Sequence, residues 1–436
     1  MQIKSIDIKG LFGTFDYKFE LPEDNQPFIV TGLNGYGKTT ILNIIYSLAS
    51  CELYYFFLLP FENISISFTD GQSVKIEKIP TQAMEEMTEE EDIPEGNNQD
   101  VQFTLFADGK RKGSIELREA DIPERLNMAA AMRGEIFDFG VHGIRTKEFH
   151  EFLKSKKYLY ESLLRSHGAG GKALLVTLNS LTVCFLDDNR LMQPVADTKS
   201  SNPGSRLRNT VIGVSDGIKA QLQKSNTEYV NKAQEIEGSM MAQLLQAHEA
   251  LDKEEYDRRK KCLDEKIQEL KECGMIAPAG IFPYDKKYAG LLSVFLKNQE
   301  RKVEAYEKML GKINLFSKLL KKLKLINKTI TLSQQHGIIV TAANGDNINL
   351  VDLSSGEQNE LIMLYALIFL MPDNSIFLID EPEDSMHIEW QADFLDNVEE
   401  IAKTKNLQTI VVTHSPQIIG GRWKNCYDLT EVTSQK

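Results

Sequence analysis

Near the start of the chain, glycine, lysine and threonine occur at the spacing of a phosphate-binding loop. Residues 32–39, GLNGYGKT, match G-x-x-x-x-G-K-[ST] between the apolar run PFIV and a helical pattern over 39–50. In such a loop the backbone N–H groups surround phosphate oxygens, Lys38 supplies positive charge and Thr39 offers a hydroxyl to Mg²⁺. The residues that we expect to contact the nucleotide are Gly32, Asn34, Gly35, Gly37, Lys38, Thr39 and Thr40.

Two adjacent carboxylates end an apolar run much later in the chain. Residues 375–381, SIFLIDE, have the length and composition of a buried parallel strand, with Asp380 and Glu381 at its C-terminal end. In a P-loop ATPase, Asp380 would hold Mg²⁺ and Glu381 would orient and polarise the attacking water. Alone, the run is equally compatible with a strand that ends in a turn at Pro382. With the phosphate loop present, it predicts ATP hydrolysis.

Two shorter patterns allow more than one interpretation. Ser354 and Glu357 form an S-x-x-E capping box before an apolar helix over 359–371, which is typical of any well-made helix start, although a serine and backbone amides there also form an anion site. His414 ends the β-branched run TIVVTH, where a lone histidine is most often structural. The residues alone leave both alternatives open.

The order of these four elements resembles that of ABC-type ATPases of the SMC-like, RecF-like and OLD-like branches. LSSGEQ (353–358) is similar to their LSGGQ signature, with serine for the first glycine and glutamate for glutamine. The resemblance covers about 1–80, 173–200 and 330–436. It implies a homodimer of heads, possible higher assembly, and a γ-phosphate contact by His414. It also implies that the signature of one copy contacts nucleotide held by the other, through Ser354, Ser355, Gly356 and Glu357.

The same resemblance implies a glutamine that contacts Mg²⁺ or the attacking water. Gln193 follows the strand pattern LTVCFLDD (181–188) and is our assignment as a further metal contact. Arg190 competes for this position.

Within that group, IDEPEDSMHIEWQ (379–391) and IKGLFGTFDYKFEL are similar to the PtuA ATPases of Septu and retron antiphage systems, which are normally partnered with an HNH nuclease. OLD-type relatives carry a C-terminal Toprim nuclease. Here only about twenty residues follow His414, so we expect nuclease activity to come from a separate subunit. One alternative is a RecF- or SMC-type clamp for DNA repair or chromosome maintenance. Another is a transporter ATPase, which the helical arms and the altered signature disfavour.

The expected fold is α/β: an ABC-type head with a β-rich N-terminal lobe, a mostly parallel core sheet and a helical insertion. We predict three regions: 1–200, with an acidic loop at 84–100 and a helical insert at 120–172; a helical arm region at 201–329; and the rest of the head at 330–436. Strand patterns in the last region are GIIVTA, INLVDL, SIFLID and TIVVTH.

Composition limits the classes of protein and the cellular compartment that fit this chain. The net charge of -13 argues against a generally basic nucleic-acid binder, and 42% hydrophobic residues can supply a real core. No secretory leader or long apolar span is evident, so we expect a cytoplasmic protein without a membrane partner. Five cysteines lack C-x-x-C spacing and indicate no zinc site. A lysine run is compatible with a solvated helix or with a DNA-facing surface: Lys318, Lys321, Lys322, Lys324 and Lys328.

Overall fold

In a computed structural model of the chain, contacts divide the protein into two compact units, Met1–Arg208 with Met371–Lys436, and Asn209–Leu370. Of the acidic loop predicted at 84–100, residues 84–98 lie outside the described residues, and residues 99 and 100 belong to a strand instead. Arg190 and most of the predicted helical insert also lie outside the described residues. The residues that the structure describes are 1–22, 24–80, 99–118, 121, 158–187, 191–195, 206–246, 250–278, 280–323, 325, 327–384 and 386–433.

Strands and helices are numbered in chain order. The strands are β1 (Ile3–Leu11), β2 (Phe15–Glu20), β3 (Phe28–Thr31), β4 (Asn63–Phe68), β5 (Gln72–Pro80), β6 (Gln99–Ala107), β7 (Lys110–Leu117), β8 (Val183–Leu186), β9 (Met192–Val195), β10 (Arg206–Asn209), β11 (Lys328–Ser333), β12 (Gly337–Ala342), β13 (Asn347–Ile348), β14 (Ile376–Asp380), β15 (Gln408–Val412) and β16 (Cys426–Asp428). The α-helices are α1 (Lys38–Ala49), α2 (Tyr55–Leu58), α3 (Gly168–Asn179), α4 (Thr210–Leu245), α5 (Lys253–Glu272), α6 (Ala289–Glu304), α7 (Glu307–Lys322), α8 (Ser355–Tyr365), α9 (Ile388–Lys405), α10 (Pro416–Ile419) and α11 (Leu429–Thr433).

Two larger sheets form the first unit. One has six antiparallel strands in the order β2-β1-β4-β5-β6-β7, and the other has five parallel strands in the order β16-β3-β15-β14-β8. All five residues of β14 and of β15 are buried, as expected for central strands covered on both faces. Burial alternates along β4, so its sheet has one interior face. The predicted α/β head with a β-rich N-terminal lobe and a parallel core sheet is therefore confirmed.

A buried amide joins the two sheets of this unit. The Gln408 side chain on β15 accepts a hydrogen bond from the backbone N–H of Ile3 at 2.8 Å. It also donates one to the carbonyl of the same residue at 2.6 Å. The β1 strand end is thus fixed to the parallel sheet by a fully paired polar side chain.

The second unit combines α4 to α8 with the small antiparallel sheet β11-β12-β13. Its longest helix, α4, has 36 residues and is capped by the preceding residue, Asn209, whose side chain accepts a hydrogen bond from Val211 N–H. Gly217 on this helix allows close packing, because a Cβ there would lie 1.9 Å from the phenol oxygen of Tyr365 on α8. Helices α4 to α7 lie within the region predicted as a helical arm, 201–329.

Two local expectations for the second unit are wrong. The predicted strand INLVDL (348–353) contributes only its first residue, Ile348, to β13. A 3₁₀ turn over Leu350–Asp352 follows, and the Asn349 side chain donates a hydrogen bond to Asp352 across it at 3.1 Å. The lysine run does not lie on one helix either. The α7 helix ends at Lys322, and Lys328 begins β11. Among the described residues, no helix is both long enough and apolar enough to cross a bilayer.

Candidate nucleotide site

The phosphate-loop sequence forms the connection between β3 and α1 in the first unit. Gly35 and Gly37 have φ values of 90° and 84°, which side-chain-bearing residues rarely adopt. A Cβ at Gly37 would also lie 3.1 Å from a methyl group of Leu11. The Tyr17 hydroxyl donates to the Tyr36 carbonyl at 2.7 Å, so a side chain of β2 helps to fix the loop backbone. This loop conformation fits a nucleotide phosphate chain.

Lys38 lies at the centre of this loop. Its side chain is 6% exposed, and its ammonium donates to the Gly32 carbonyl at 2.9 Å and to Asn34 Oδ1 at 3.3 Å. Thr39, the next residue, is exposed at the first turn of α1. The loop therefore holds a buried cation beside an accessible hydroxyl, which is the donor set that a phosphate and its Mg²⁺ require.

The predicted carboxylates lie at the C-terminal end of β14. Asp380 is 2% exposed and is in register with Val412 of β15. Glu381 has a φ of 42°, a strained conformation for a side-chain-bearing residue, and its N–H donates to the Val412 carbonyl at 2.9 Å. One carboxylate oxygen of Glu381 lies 3.7 Å from the Lys38 ammonium. The backbone turn thus directs the predicted base toward the phosphate loop.

His414 is the hydrogen-bond partner of Glu381. Its Nδ1 is hydrogen-bonded to the second carboxylate oxygen of Glu381, while 61% of its side chain remains exposed. Burial raises the pKa of Glu381, and the negative charge of Glu383 adds to this effect; His414 and Lys38 act in the opposite direction. A carboxylate with a raised pKa, paired with an accessible imidazole, is suited to accept a proton from water.

Glu383 belongs to this site although the sequence pattern does not mark it. It is 8% exposed, and one of its oxygens accepts hydrogen bonds from the Thr413 hydroxyl at 2.6 Å, from His414 N–H at 2.7 Å and from Ser415 N–H at 2.9 Å. The only sequence signal is its acidity two positions after Glu381, because its partners lie about thirty residues further along the chain.

Two sets of side chains have the chemistry to bind a cation. Thr39 and Asp380 carry oxygen ligands of the kind that Mg²⁺ prefers, and their assignment to the metal remains a prediction. Ligand atoms of Glu381, Glu383 and His414 also lie within 4.8 Å of one another. Because one oxygen of Glu383 is already occupied by three donors, the second group is better described as a hydrogen-bonded acid–base cluster.

The signature residues lie in the second unit. Ser354 is exposed and caps α8 in a full capping box with Glu357, whose carboxylate accepts hydrogen bonds from the Ser354 N–H at 2.9 Å and hydroxyl at 3.0 Å. Lys328 donates to both oxygens of this carboxylate at 2.8 Å. Burial alone would raise the pKa of Glu357, but these hydrogen bonds outweigh it and hold the pKa below its ordinary value. Lys328 therefore balances the charge of the carboxylate at the start of this helix.

The expected glutamine contact remains a prediction. Gln193 lies on the short strand β9, which pairs with β10. Its competitor Arg190 lies outside the described residues.

Comparisons with known proteins show the family to which the chain belongs. A family model described as an AAA ATPase domain matches residues 1–419. No curated protein matches the chain significantly. Solved structures that align with it include an SMC head bound to the C-terminal winged-helix domain of ScpA, with 13% identity, 98% of this chain and 94% of that chain covered, and a TM-score of 0.36. An SMC head domain from Thermotoga maritima aligns with 10% identity, the same coverage and a TM-score of 0.32.

Proposed function

Because the chain belongs to the family of AAA ATPase domains, we propose that it hydrolyses ATP and that ATP closes two copies of it into a homodimer that regulates a separate nuclease subunit. The observation that supports hydrolysis is the contact between Glu381 and His414 beside the buried ammonium of Lys38. In this proposal the three groups act as a base, a second proton-binding group and a phosphate-binding cation at one edge of the parallel sheet.

Each residue of the first unit has a role in this proposal. The Lys38 ammonium would exchange its contacts with the loop for the phosphate oxygens, which carry more negative charge. Thr39 and Asp380 would hold Mg²⁺, which neutralises charge on the phosphate chain. Glu381 would accept the proton of the attacking water, and His414 would hold the carboxylate in position and contact the γ-phosphate.

The dimer is proposed from the signature. Ser354 and the first amides of α8 form an exposed helix N-terminus, and the pairing of Glu357 with Lys328 removes the negative charge that would repel a phosphate. By similarity to ABC-type ATPases, this surface would contact the nucleotide held by a second copy. Two sites would then form, each from the phosphate loop of one chain and the signature of the other.

The nuclease partner is the most specific part of the proposal, and it rests on the resemblance to PtuA ATPases of antiphage systems. Helices α4 to α7 would supply the docking surface, because they are the largest part of the chain that nucleotide chemistry does not use. A clamp of the RecF or SMC type, which closes on DNA as its own function, is the competing function. Purification of the native complex separates the two: a co-purifying HNH-type nuclease supports the first, and DNA-dependent dimerisation without a nuclease supports the second.

The composite site is tested with Ser354→Arg, which places a large cation at the exposed helix start. We expect this variant to bind ATP nearly as well as the parent but to remain monomeric with ATP in light-scattering measurements. Lys38→Ala should instead lose ATP binding. A mixture of the two variants should recover at most one working site per dimer. Full hydrolysis by a chain that stays monomeric with ATP bound would refute the composite site.

A further inference from the structure

Glu383 has no assigned part in phosphate or metal binding, yet its carboxylate is buried and organises the segment that carries His414. Its three donors, the Thr413 hydroxyl and the N–H groups of His414 and Ser415, are consecutive in sequence and converge on one oxygen. Hydrogen bonds to an ionised acceptor are stronger than neutral ones. Glu383 therefore binds the end of β15 to the turn that follows β14.

The same segment is fixed on its other sides. The Thr413 N–H donates to the Val30 carbonyl of β3 at 3.1 Å, and the Ser415 hydroxyl donates to Gln391 of α9 at 2.7 Å. Since β3 leads directly into the phosphate loop, Thr413 connects the loop strand to Glu383. The network joins the ends of three neighbouring strands, β3, β15 and β14.

His414 needs such support because packing does not hold its ring. Its side chain is 61% exposed, so the ring direction depends on the backbone of His414 and on its hydrogen bonds. The ring nitrogen that meets Glu381 also lies 3.2 Å from the Glu383 oxygen that binds the His414 N–H. One carboxylate oxygen thus sets both the backbone and the ring of the histidine.

We propose that Glu383 is a positioning residue for hydrolysis, whose buried carboxylate holds residues 413–415 so that the imidazole of His414 meets Glu381. The proposal rests on the ATP hydrolysis proposed above. Glu383 is not itself the base, because its accepting oxygen is saturated by three donors and the residue is nine-tenths buried.

The test compares Glu383→Ala with Glu383→Gln in steady-state ATP hydrolysis by the full chain. The glutamine amide oxygen can accept the same hydrogen bonds, whereas alanine leaves the donors unpaired. We expect Glu383→Ala to lower kcat by about 10- to 100-fold with the KM for ATP within about twofold, since misplaced groups lose rate more than binding. Glu383→Gln should recover kcat to within about fivefold of the parent, because it restores the acceptor. Asp373→Asn, at an exposed position before β14, is the matched control and should equal the parent.

Thr413→Val provides a second variant that keeps the shape of the side chain and removes its hydroxyl, which donates to Glu383 and accepts from the Ser415 N–H at 3.0 Å. Should Glu383→Ala fail to fold, Thr413→Val should still lower kcat about three- to tenfold at unchanged KM, the size expected for the loss of one hydrogen bond of ordinary net strength. A parent-like kcat in Glu383→Ala, a glutamine variant no better than alanine, or a parent-like Thr413→Val would each overturn the positioning role. A parent chain that hydrolyses no ATP would refute the proposed function instead.

Discussion

Replacing Glu381 by glutamine should separate ATP binding from hydrolysis. Glutamine keeps the volume and a hydrogen bond to His414, and leaves the Lys38 loop contacts intact, but it cannot accept the proton of water. A positioned general base contributes about 10²- to 10⁴-fold to the rate. This corresponds to roughly 3 to 5 kcal/mol of barrier. We expect kcat to fall by that factor while the Kd for ATP changes by less than about threefold.

The same substitution should stabilise the protein at neutral pH. Burial and the charge of Glu383 raise the pKa of Glu381 above its ordinary value of 4.5, so the folded chain binds this proton more tightly than the unfolded chain. Ionisation of Glu381 therefore costs stability at every pH above the raised pKa, and the cost disappears below about pH 4.5. Glu381→Gln should melt at a higher temperature than the parent at pH 7.5, and this difference should shrink as the pH falls toward 4.5.

Three assays test these predictions. Phosphate release measures kcat, binding of a fluorescent ATP analogue measures the Kd, and thermal melts across pH measure the melting temperature. Glu389→Gln makes the same chemical change at an exposed position in the first turn of α9. It should leave hydrolysis and ATP binding unchanged and should lower the melting temperature slightly at neutral pH, because it removes a favourable interaction with the helix dipole. Hydrolysis at the parent rate by Glu381→Gln would refute the assignment of the base. A lower melting temperature at pH 7.5 would refute the electrostatic description of its surroundings.

Two further substitutions test the supports of the site. Lys328→Met leaves the Glu357 carboxylate without its cation. The two side chains are 24% and 11% exposed, so the pair is intermediate between a surface and a buried salt bridge. We therefore expect the free energy of unfolding, measured in urea, to fall by about 2 kcal/mol. The pKa of Glu357 is lowered, so its stabilisation is present above its ordinary pKa of 4.5 and is lost as the pH falls through the lowered value, where parent and variant should converge. Gln408→Leu removes both hydrogen bonds to Ile3 and should cost about 2 kcal/mol by the same measurement; unchanged stability would contradict the role of this amide.

Local chemistry explains what the sequence could predict. The glycine loop, the apolar run before Asp380 and the β-branched run before His414 are each encoded within about ten residues, and the structure has a strand or helix at each place. INLVDL was predicted wrongly because hydrogen bonds of Asn349 and the capping of the next helix favour a turn over strand pairing. Turn chemistry of this kind competes with an apolar pattern that looks like a strand.

Residues that support the site could not be predicted, because their partners are distant in sequence. Lys328 pairs with Glu357 across 29 positions, and Tyr17 binds the Tyr36 carbonyl across 19. Before the fold is known, a lysine such as Lys328 at the start of a strand has many candidate partners of opposite charge. Its pairing depends on where β11 lies relative to α8, and periodicity does not contain that information.

Strand order shows most clearly why the contact between Glu381 and His414 needs the whole fold. The strand that carries His414, β15, comes after β14 in sequence, yet it inserts between β3 and β14 in the sheet. This insertion places the histidine between the strand that leads to Lys38 and the strand that ends before Glu381. Had β15 added to the outer edge of β8, the same motifs would be present and the imidazole would lie two strands from its carboxylate. The motifs therefore specify which groups are present, while the order of parallel strands decides that they meet.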